Sequence, residues 1–459
     1  MSSSRRSFIR QSAFAALSAV PATGAAASML RSSVAASPRR QAKGANGKLA
    51  VAHVGVGGMG KHDLQQVMSH PQVQIVGLCD MNLQTLATAR EMVPGAAHFQ
   101  DWREMYDALG DKVDAIVCST PDHMHAPISM TALNRDKHVY CQKPLARLVY
   151  ENRQLAAVAA SKPKIVTQMG TQRFAKAERR LGLTLLQLGI VGKAKALYGW
   201  TDRPAGWWPS GQPRPAGNDP VPEWLGWNLF LGVSPERPFV KEAYTPFKWR
   251  GFYDFGTGAI GDMACHIMDV PYMALQLGAP KSVWCESPDA TDDEYPNQES
   301  IRMSFAATPM TAGELPFLWF DGGRKPDLAS IGLPTDLKLP NNDGAAIVVG
   351  ETGVLVQPCD SAPPMIFRNG AQVRFDDPGV KTTNHWHDWV DACLGKGMAR
   401  APFQVAGRLC EVLSLGAISS RFNKKTLEYD GAKGEITNDS DANGWVRRPY
   451  RQGWAVENL

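Results

Sequence analysis

At 459 residues, with 44% hydrophobic and 20% charged side chains, the chain has the make-up of a globular protein of two domains or one elaborated one, not of a disordered or fibrous one. The formal charge of +5 misleads: residues 1–43 hold Arg5, Arg6, Arg10, Arg31, Arg39, Arg40 and Lys43 and no acid, so the remainder carries −2 and gives no case for nucleic-acid binding. The eight cysteines include no CxxC pair, which argues against a thiolate zinc site.

The chain opens on Ser4-Arg5-Arg6-Ser7-Phe8-Ile9-Arg10, ahead of an apolar, alanine-rich run from Ser12 to Leu30 interrupted by Pro21 and Gly24. Paired arginines before a weakly apolar run predict a twin-arginine signal, with export of the folded protein to the periplasm and the translocation machinery as a partner. The run is too interrupted for a good membrane span. Residues 1–45 read as signal and linker. From Leu49 short apolar runs alternate with helical patterns. Strands are expected at Leu49–Val54, Val73–Cys79, Ala115–Ser119, His138–Cys141 and Ile165–Met169. Helices are expected at Lys61–Ser69, Leu83–Met92, Asp101–Leu109, Pro127–Asn134 and Tyr150–Ala160. This α/β order predicts a doubly wound parallel sheet over 46–170.

Texture then changes. After a helix at Ala177–Leu188, alternating runs at Ala194–Thr201, Ser282–Glu286, Ser300–Phe305, Gly313–Phe320 and Ala345–Val349 predict a second α/β domain, 171–445, on an open, mainly antiparallel sheet. Pro204–Pro222, with six prolines and two adjacent tryptophans, reads as an ordered loop. Helices at Trp386–Leu394 and Val405–Arg421 are placed to pack back on the first domain, and 446–459 reads as a tail.

The most specific motif is Gly55-Val56-Gly57-Gly58-Met59-Gly60, between a strand and a helix. Gly55 permits the tight turn, Gly57 lets the backbone approach a pyrophosphate, and Gly60 lets helix and strand pack closely. The helix N-terminus then offers amides to the phosphates. Asp80 ends the second strand, where its carboxylate would accept from the adenosine ribose hydroxyls and repel a 2′-phosphate. Met81 and Asn82 follow and no arginine sits beside the acid, so NAD is expected over NADP. Three further motifs follow: Ser119-Thr120-Pro121-Asp122-His123-Met124-His125, Val139-Tyr140-Cys141-Gln142-Lys143-Pro144-Leu145, and Gly256 to His266 with Asp262 and His266 one helical turn apart.

Together these motifs, over residues 46–445, resemble the glucose–fructose oxidoreductase, inositol dehydrogenase and rhizopine-catabolism (Gfo/Idh/MocA) family. The resemblance implies a Rossmann domain followed by an α/β domain, a small carbohydrate substrate, and a homo-oligomer, dimer or tetramer, formed through the open sheet. It places Thr120-Pro121 against the cofactor, His125 near the ribose or nicotinamide side, and Gln142-Lys143-Pro144 beside the nicotinamide. Gln142 departs from the family's Glu-Lys-Pro; the neutral neighbour predicts a lower pKa for Lys143 than in relatives. Lys143 is the candidate for stabilising the alkoxide or relaying a proton, His266 for the base, and Asp262 for orienting substrate or imidazole. Thr171, Gln172 and Arg173 end the fifth strand, where the resemblance expects substrate contact. Thirteen tryptophans include a cluster with Arg203, Arg250 and Asp254; Trp208 and Trp249 are candidates to face a sugar ring. His123 and His125 form a poor ligand set, and no metal is expected.

Export leaves the protein without a free nicotinamide pool, so NAD is expected to be loaded first, held tightly and recycled. Two reaction types fit: an NAD-dependent oxidoreductase acting on a CH–OH group of a sugar, and a redox glycoside hydrolase that oxidises C3, eliminates across C2 and returns the hydride. A non-catalytic sugar-binding homologue is the third reading, supported by the missing glutamate.

Overall fold

The computed structural model describes residues 47–459 apart from 289, 340–342, 361 and 376–378. The twin-arginine segment lies outside the described residues. Six strands form a parallel sheet in the order β3-β2-β1-β4-β5-β6: β1 (Leu49–Val54), β2 (Val73–Cys79), β3 (Ala97–Phe99), β4 (Ala115–Cys118), β5 (His138–Cys141) and β6 (Thr167–Met169). All six residues of β1 are buried, as a central strand covered on both faces requires. The connecting helices are α1 (Met59–Met68), α2 (Leu83–Met92), α3 (Trp102–Leu109), α4 (His125–Asn134) and α5 (Val149–Ser161). Asn82 caps α2 by accepting from the amides of Gln84 and Thr85, and Asp101 caps α3 at the amide of Arg103. The strand order reverses between β1 and β4, which opens a crevice at the strands' carboxyl ends.

The second sheet has ten strands in the order β14-β13-β12-β11-β7-β10-β9-β8-β15-β16. They are β7 (Ala194–Trp200), β8 (Pro280–Glu286), β9 (Ser300–Phe305), β10 (Leu315–Phe320), β11 (Ala345–Gly350), β12 (Val354–Pro358), β13 (Met365–Arg368), β14 (Ala371–Val373), β15 (Leu427–Asp430) and β16 (Glu435–Ile436). Among the described residues only β7 and β10 pair in parallel in this sheet, the other strand pairs being antiparallel. Four helices share a core with one face of this sheet: α6 (Ala177–Gln187), then, after the short α7 (Trp227–Leu231), α8 (Gly258–Ile267) and α9 (Asp269–Ala274), and finally α11 (Phe403–Arg421). On the other face Trp200, Ile347, Val356 and Phe367 pack under Ile331 and Leu333.

The two sheets are stitched together. Helix α10 (His385–Cys393) puts Trp386, Trp389 and Val390 into the core formed with β1 and α1. Helix α11 lies along α5, where a Cβ on Gly407 would come 2.6 Å from the carbonyl oxygen of Asn152. Past α12 (Ser440–Asn443), the expected tail proves structural: Trp454 is buried in the core with Met105 and Tyr106, and Arg103 lies over its ring at 4.1 Å. All eight cysteines are free and buried.

Candidate active site

The glycine turn joins β1 to α1. Gly55 has φ 82°, and its amide donates to the carbonyl oxygen of Cys79 at 2.8 Å. A Cβ on Gly60 would stand 1.9 Å from the Gly55 carbonyl oxygen, so only glycine lets the helix start here. Gly58 takes the N-cap position with no side-chain cap, and the first turn of α1 holds no acid. The Gly60 and Lys61 amides turn back to the Gly57 carbonyl oxygen, at 2.8 and 3.4 Å, while the space above Gly58 at the uncapped, positive end of the helix is open to a pyrophosphate. Met59 is partly exposed beside it. The Asp80 carboxylate accepts from the amides of Val56 and Asn82, each at 2.9 Å. Desolvation pushes its pKa up to about 6 against those hydrogen bonds. Turn, uncapped helix and oriented acid together fit a dinucleotide, with no basic side chain among the contacts of Asp80.

Lys143 and the second domain meet beside this crevice. Lys143 Nζ donates to Asp262 Oδ1 at 2.6 Å and to the Asp262 carbonyl oxygen at 2.9 Å. The carboxylate partner that the sequence denies Lys143 at position 142 is thus supplied from α8. Arg250 also reaches Asp262 at 3.2 Å, and Arg203 approaches it at 3.7 Å. Burial alone would raise the Asp262 pKa, but Arg250, Lys143 and Arg203 hold it well below the usual carboxylate range. His266, one turn further along α8, is buried with Nδ1 unpartnered. Burial, then the charges of Lys143 and Arg173, push its pKa well below that of a free imidazole. The imidazole is therefore uncharged at neutral pH.

Gln142 faces the other way. Its Nε2 donates to both oxygens of Asp63, at 3.1 and 2.9 Å, and its Oε1 accepts from the Lys143 amide. Asp63 is fully buried and also accepts from Ser119 Oγ at 2.7 Å and Trp386 Nε1 at 2.9 Å. Desolvation raises its pKa to about 6, and these three donors restrain the rise. Sequence reading missed Asp63. The signal was present: Gly60, Asp63, Leu64 and Val67 share the buried face of α1, and an acid on that stripe demands partners.

The other cofactor-side residues brace the crevice. The ring nitrogens of His125 lie 2.7 Å from the Pro144 carbonyl oxygen and 2.8 Å from that of Thr120. His125 is thereby a clamp between two backbone segments, with its ring buried, rather than a side chain reaching for the ribose. Pro121 leads into a short 3-10 turn, Asp122–Met124. His123 is buried against Phe230 and Phe255, with its pKa pushed down to about 3 by burial. It does not join His125 in a ligand set.

On the substrate side the expectations divide. Arg173 reaches the site and pairs with Asp343 at 3.0 Å. Thr171 is buried, and Gln172 keeps a buried, unpartnered Oε1. Trp208 and Trp249, each 6% exposed, are packed against Phe247 rather than presented as platforms. The open indole is Trp207, 52% exposed, with the Arg203 guanidinium 3.5 Å from its ring centroid. Adjacent tryptophans in a proline-rich loop do not reveal which one turns outward. Asp254 lies elsewhere, in an ion-pair cluster with Arg237 and Arg448.

A crevice at the switch point of a doubly wound sheet, closed by a lysine and an acid–histidine helix from a second α/β domain, places the chain among two-domain dinucleotide-binding proteins. Residues 49–170 match the family model described as an oxidoreductase family with an NAD-binding Rossmann fold, and residues 205–309 match its C-terminal alpha/beta domain. The chain belongs to the Gfo/Idh/MocA oxidoreductase family. Inositol 2-dehydrogenase of Rubrobacter xylanophilus is 27% identical over 159 residues, 34% of this chain and 45% of that protein. A glycosyl hydrolase family 109 protein of Shewanella pealeana is 26% identical over 150 residues, 31% of this chain and 33% of that protein. The chain thus spans less than half the length of these curated relatives. The solved structure of levoglucosan dehydrogenase with NADH and levoglucosan superposes with a TM-score of 0.57 at 16% identity, covering 83% of this chain and 99% of that one, which establishes the shared fold.

Proposed function

We propose that this chain is an NAD-dependent oxidoreductase that moves a hydride from a CH–OH carbon of a sugar or sugar derivative to a tightly held, recycled cofactor. The observation that carries the reading is the Lys143–Asp262 contact at 2.6 Å beside the dinucleotide turn, with the neutral His266 one turn along the same helix. Bound NAD supplies the hydride acceptor. Asp262 fixes Lys143, whose ammonium donates to the substrate oxygen and steadies it as the proton leaves. His266 takes that proton, and the return step reverses these roles. Asp80 holds the adenosine ribose, and the uncapped N-terminal end of α1 holds the pyrophosphate.

Lys143→Ala tests the assignment. Reduction of bound NAD by a sugar panel is expected to fall by about 10²–10⁴-fold, with NAD content unchanged. Wild-type rates in the variant would refute the role.

The redox glycoside hydrolase reading is favoured by the likeness to the family 109 protein and by exposed Trp207, which offers a face to a second sugar ring. Solvent deuterium at C2 of a released product would select it; net ketone without exchange would sink it. Export through the twin-arginine route is proposed from Ser4–Arg10 and is tested by fractionating cells that carry Arg5→Lys/Arg6→Lys. A dimer or tetramer through the ten-stranded sheet is proposed likewise, and light scattering would read it directly.

A further inference from the structure

We infer that the sugar taken by this site carries a carboxylate, as a hexuronic acid does, and that Arg203 is the side chain that selects it; the inference rests on the sugar-oxidoreductase reading above. The first observation is charge. Among the described residues, Lys143, Arg173, Arg203 and Arg250 are linked by ion pairs to Asp122, Asp262 and Asp343, four cations against three carboxylates. Neutral His266 adds nothing to this balance. A partly buried cluster with one uncompensated positive charge favours a monoanion over a neutral ring.

The second observation is where the surplus sits. Lys143, Arg173 and Arg250 each approach a carboxylate at 2.6, 3.0 and 3.2 Å. Arg203 does not: its nearest carboxylate oxygens, on Asp262 and Asp343, stand 3.7 and 3.6 Å away, beyond hydrogen-bond distance. Its side chain is nevertheless 10% exposed, and Nε is buried without a partner. A buried guanidinium Nε without an acceptor is an unsatisfied donor, a cost that a ligand oxygen can remove.

The third observation is orientation. Trp207 lies 3.5 Å from the Arg203 guanidinium and is itself half open to solvent. Stacking holds the planar fork by its face, which leaves the donor edges for a bidentate oxyanion, while the exposed indole offers an apolar face to the C–H side of a ring. A single surplus charge matches a carboxylate better than a phosphate monoester, which carries close to two.

The test uses the full protein loaded with NAD. D-glucuronate and D-galacturonate are compared with D-glucose and D-galactose, reading both calorimetric binding and reduction of bound NAD. The uronates are expected to bind at least about tenfold more tightly than their neutral partners. Arg203→Gln is expected to bring that ratio towards one, and Arg203→Lys to retain part of it. A ratio taken within one variant is unaffected by a partly unfolded sample, because both ligands report the same folded fraction. A wild-type ratio near one, no binding of either class, or a ratio that survives Arg203→Gln overturns the inference. Neutral sugars that reduce NAD as well as uronates overturn it and leave the oxidoreductase reading intact. Uronate preference without any reduction of NAD supports the carboxylate site and overturns the reaction.

Discussion

The distribution of charge around position 142 distinguishes this site at the level of single residues. Gln142 is not a neutral gap beside Lys143 but the donor that satisfies a buried acid, Asp63, from 2.9 Å. Gln142→Glu therefore sets two carboxylates against each other and is expected to destabilise the fold by about 2–4 kcal/mol above pH 6. Such a pair has its folded pKa raised above the unfolded value. The cost is then absent below the unfolded carboxylate pKa, grows as pH rises from there towards the folded one, about 6 for Asp63 already in the native sequence, and is complete above it. Adding Asp63→Asn, which restores an amide–acid pair with the charge moved, is expected to recover most of the loss. Denaturant titrations at pH 4 and pH 7 would read this; a pH-independent cost, or no rescue, would contradict it. Asp262→Asn acts differently. It leaves Lys143, Arg203 and Arg250 facing one another, and is expected to cost about 3 kcal/mol and to abolish reduction of bound NAD.

The elements of the first sheet were legible because their signals are local. An unbroken apolar run such as Leu49–Val54, a glycine turn and an Asn or Asp cap each act within a few residues, and β1 falls at the expected bounds. The strands that escaped, β3 and β12 to β16, are short, and several carry polar residues at an edge, so partners across the sheet decide them rather than propensity. In the site, Lys143 and Asp262 were singled out by their motifs and Arg173 by the family resemblance, and the structure brings Lys143 onto Asp262 and pairs Arg173 with Asp343. Asp63 could have been found from its place on the apolar stripe of α1, although its partners could not, and the outward turn of Trp207 is settled by tertiary neighbours alone. The seam between α5 and α11 makes a sharp test at this scale. Gly407→Ala drives a methyl group into the Asn152 carbonyl and is expected to destabilise by about 1–3 kcal/mol. A change below about 0.5 kcal/mol would mean that the helices slide apart freely.

Across the whole molecule the domains of sequence are not independent bodies. Trp386, Trp389 and Phe403 fill the cores of the first sheet from residues more than two hundred positions downstream, and Trp454 closes its far side. An excised 47–170 fragment is expected to lack native near-ultraviolet dichroism and to be digested rapidly, whereas 47–459 unfolds in a single transition. A protease-resistant fragment with sharp spectra would contradict that. This unity also explains how one chain brings a lysine from the first sheet within 2.6 Å of an acid from the second. The most direct test of the account follows the hydride itself: the NAD-loaded protein is incubated with carbon-deuterated hexoses and hexuronates, and the released nucleotide is weighed. The account predicts nucleotide carrying one deuterium with at least one sugar, absent in Lys143→Ala. Stoichiometric NAD with no deuterium from any of them would contradict it.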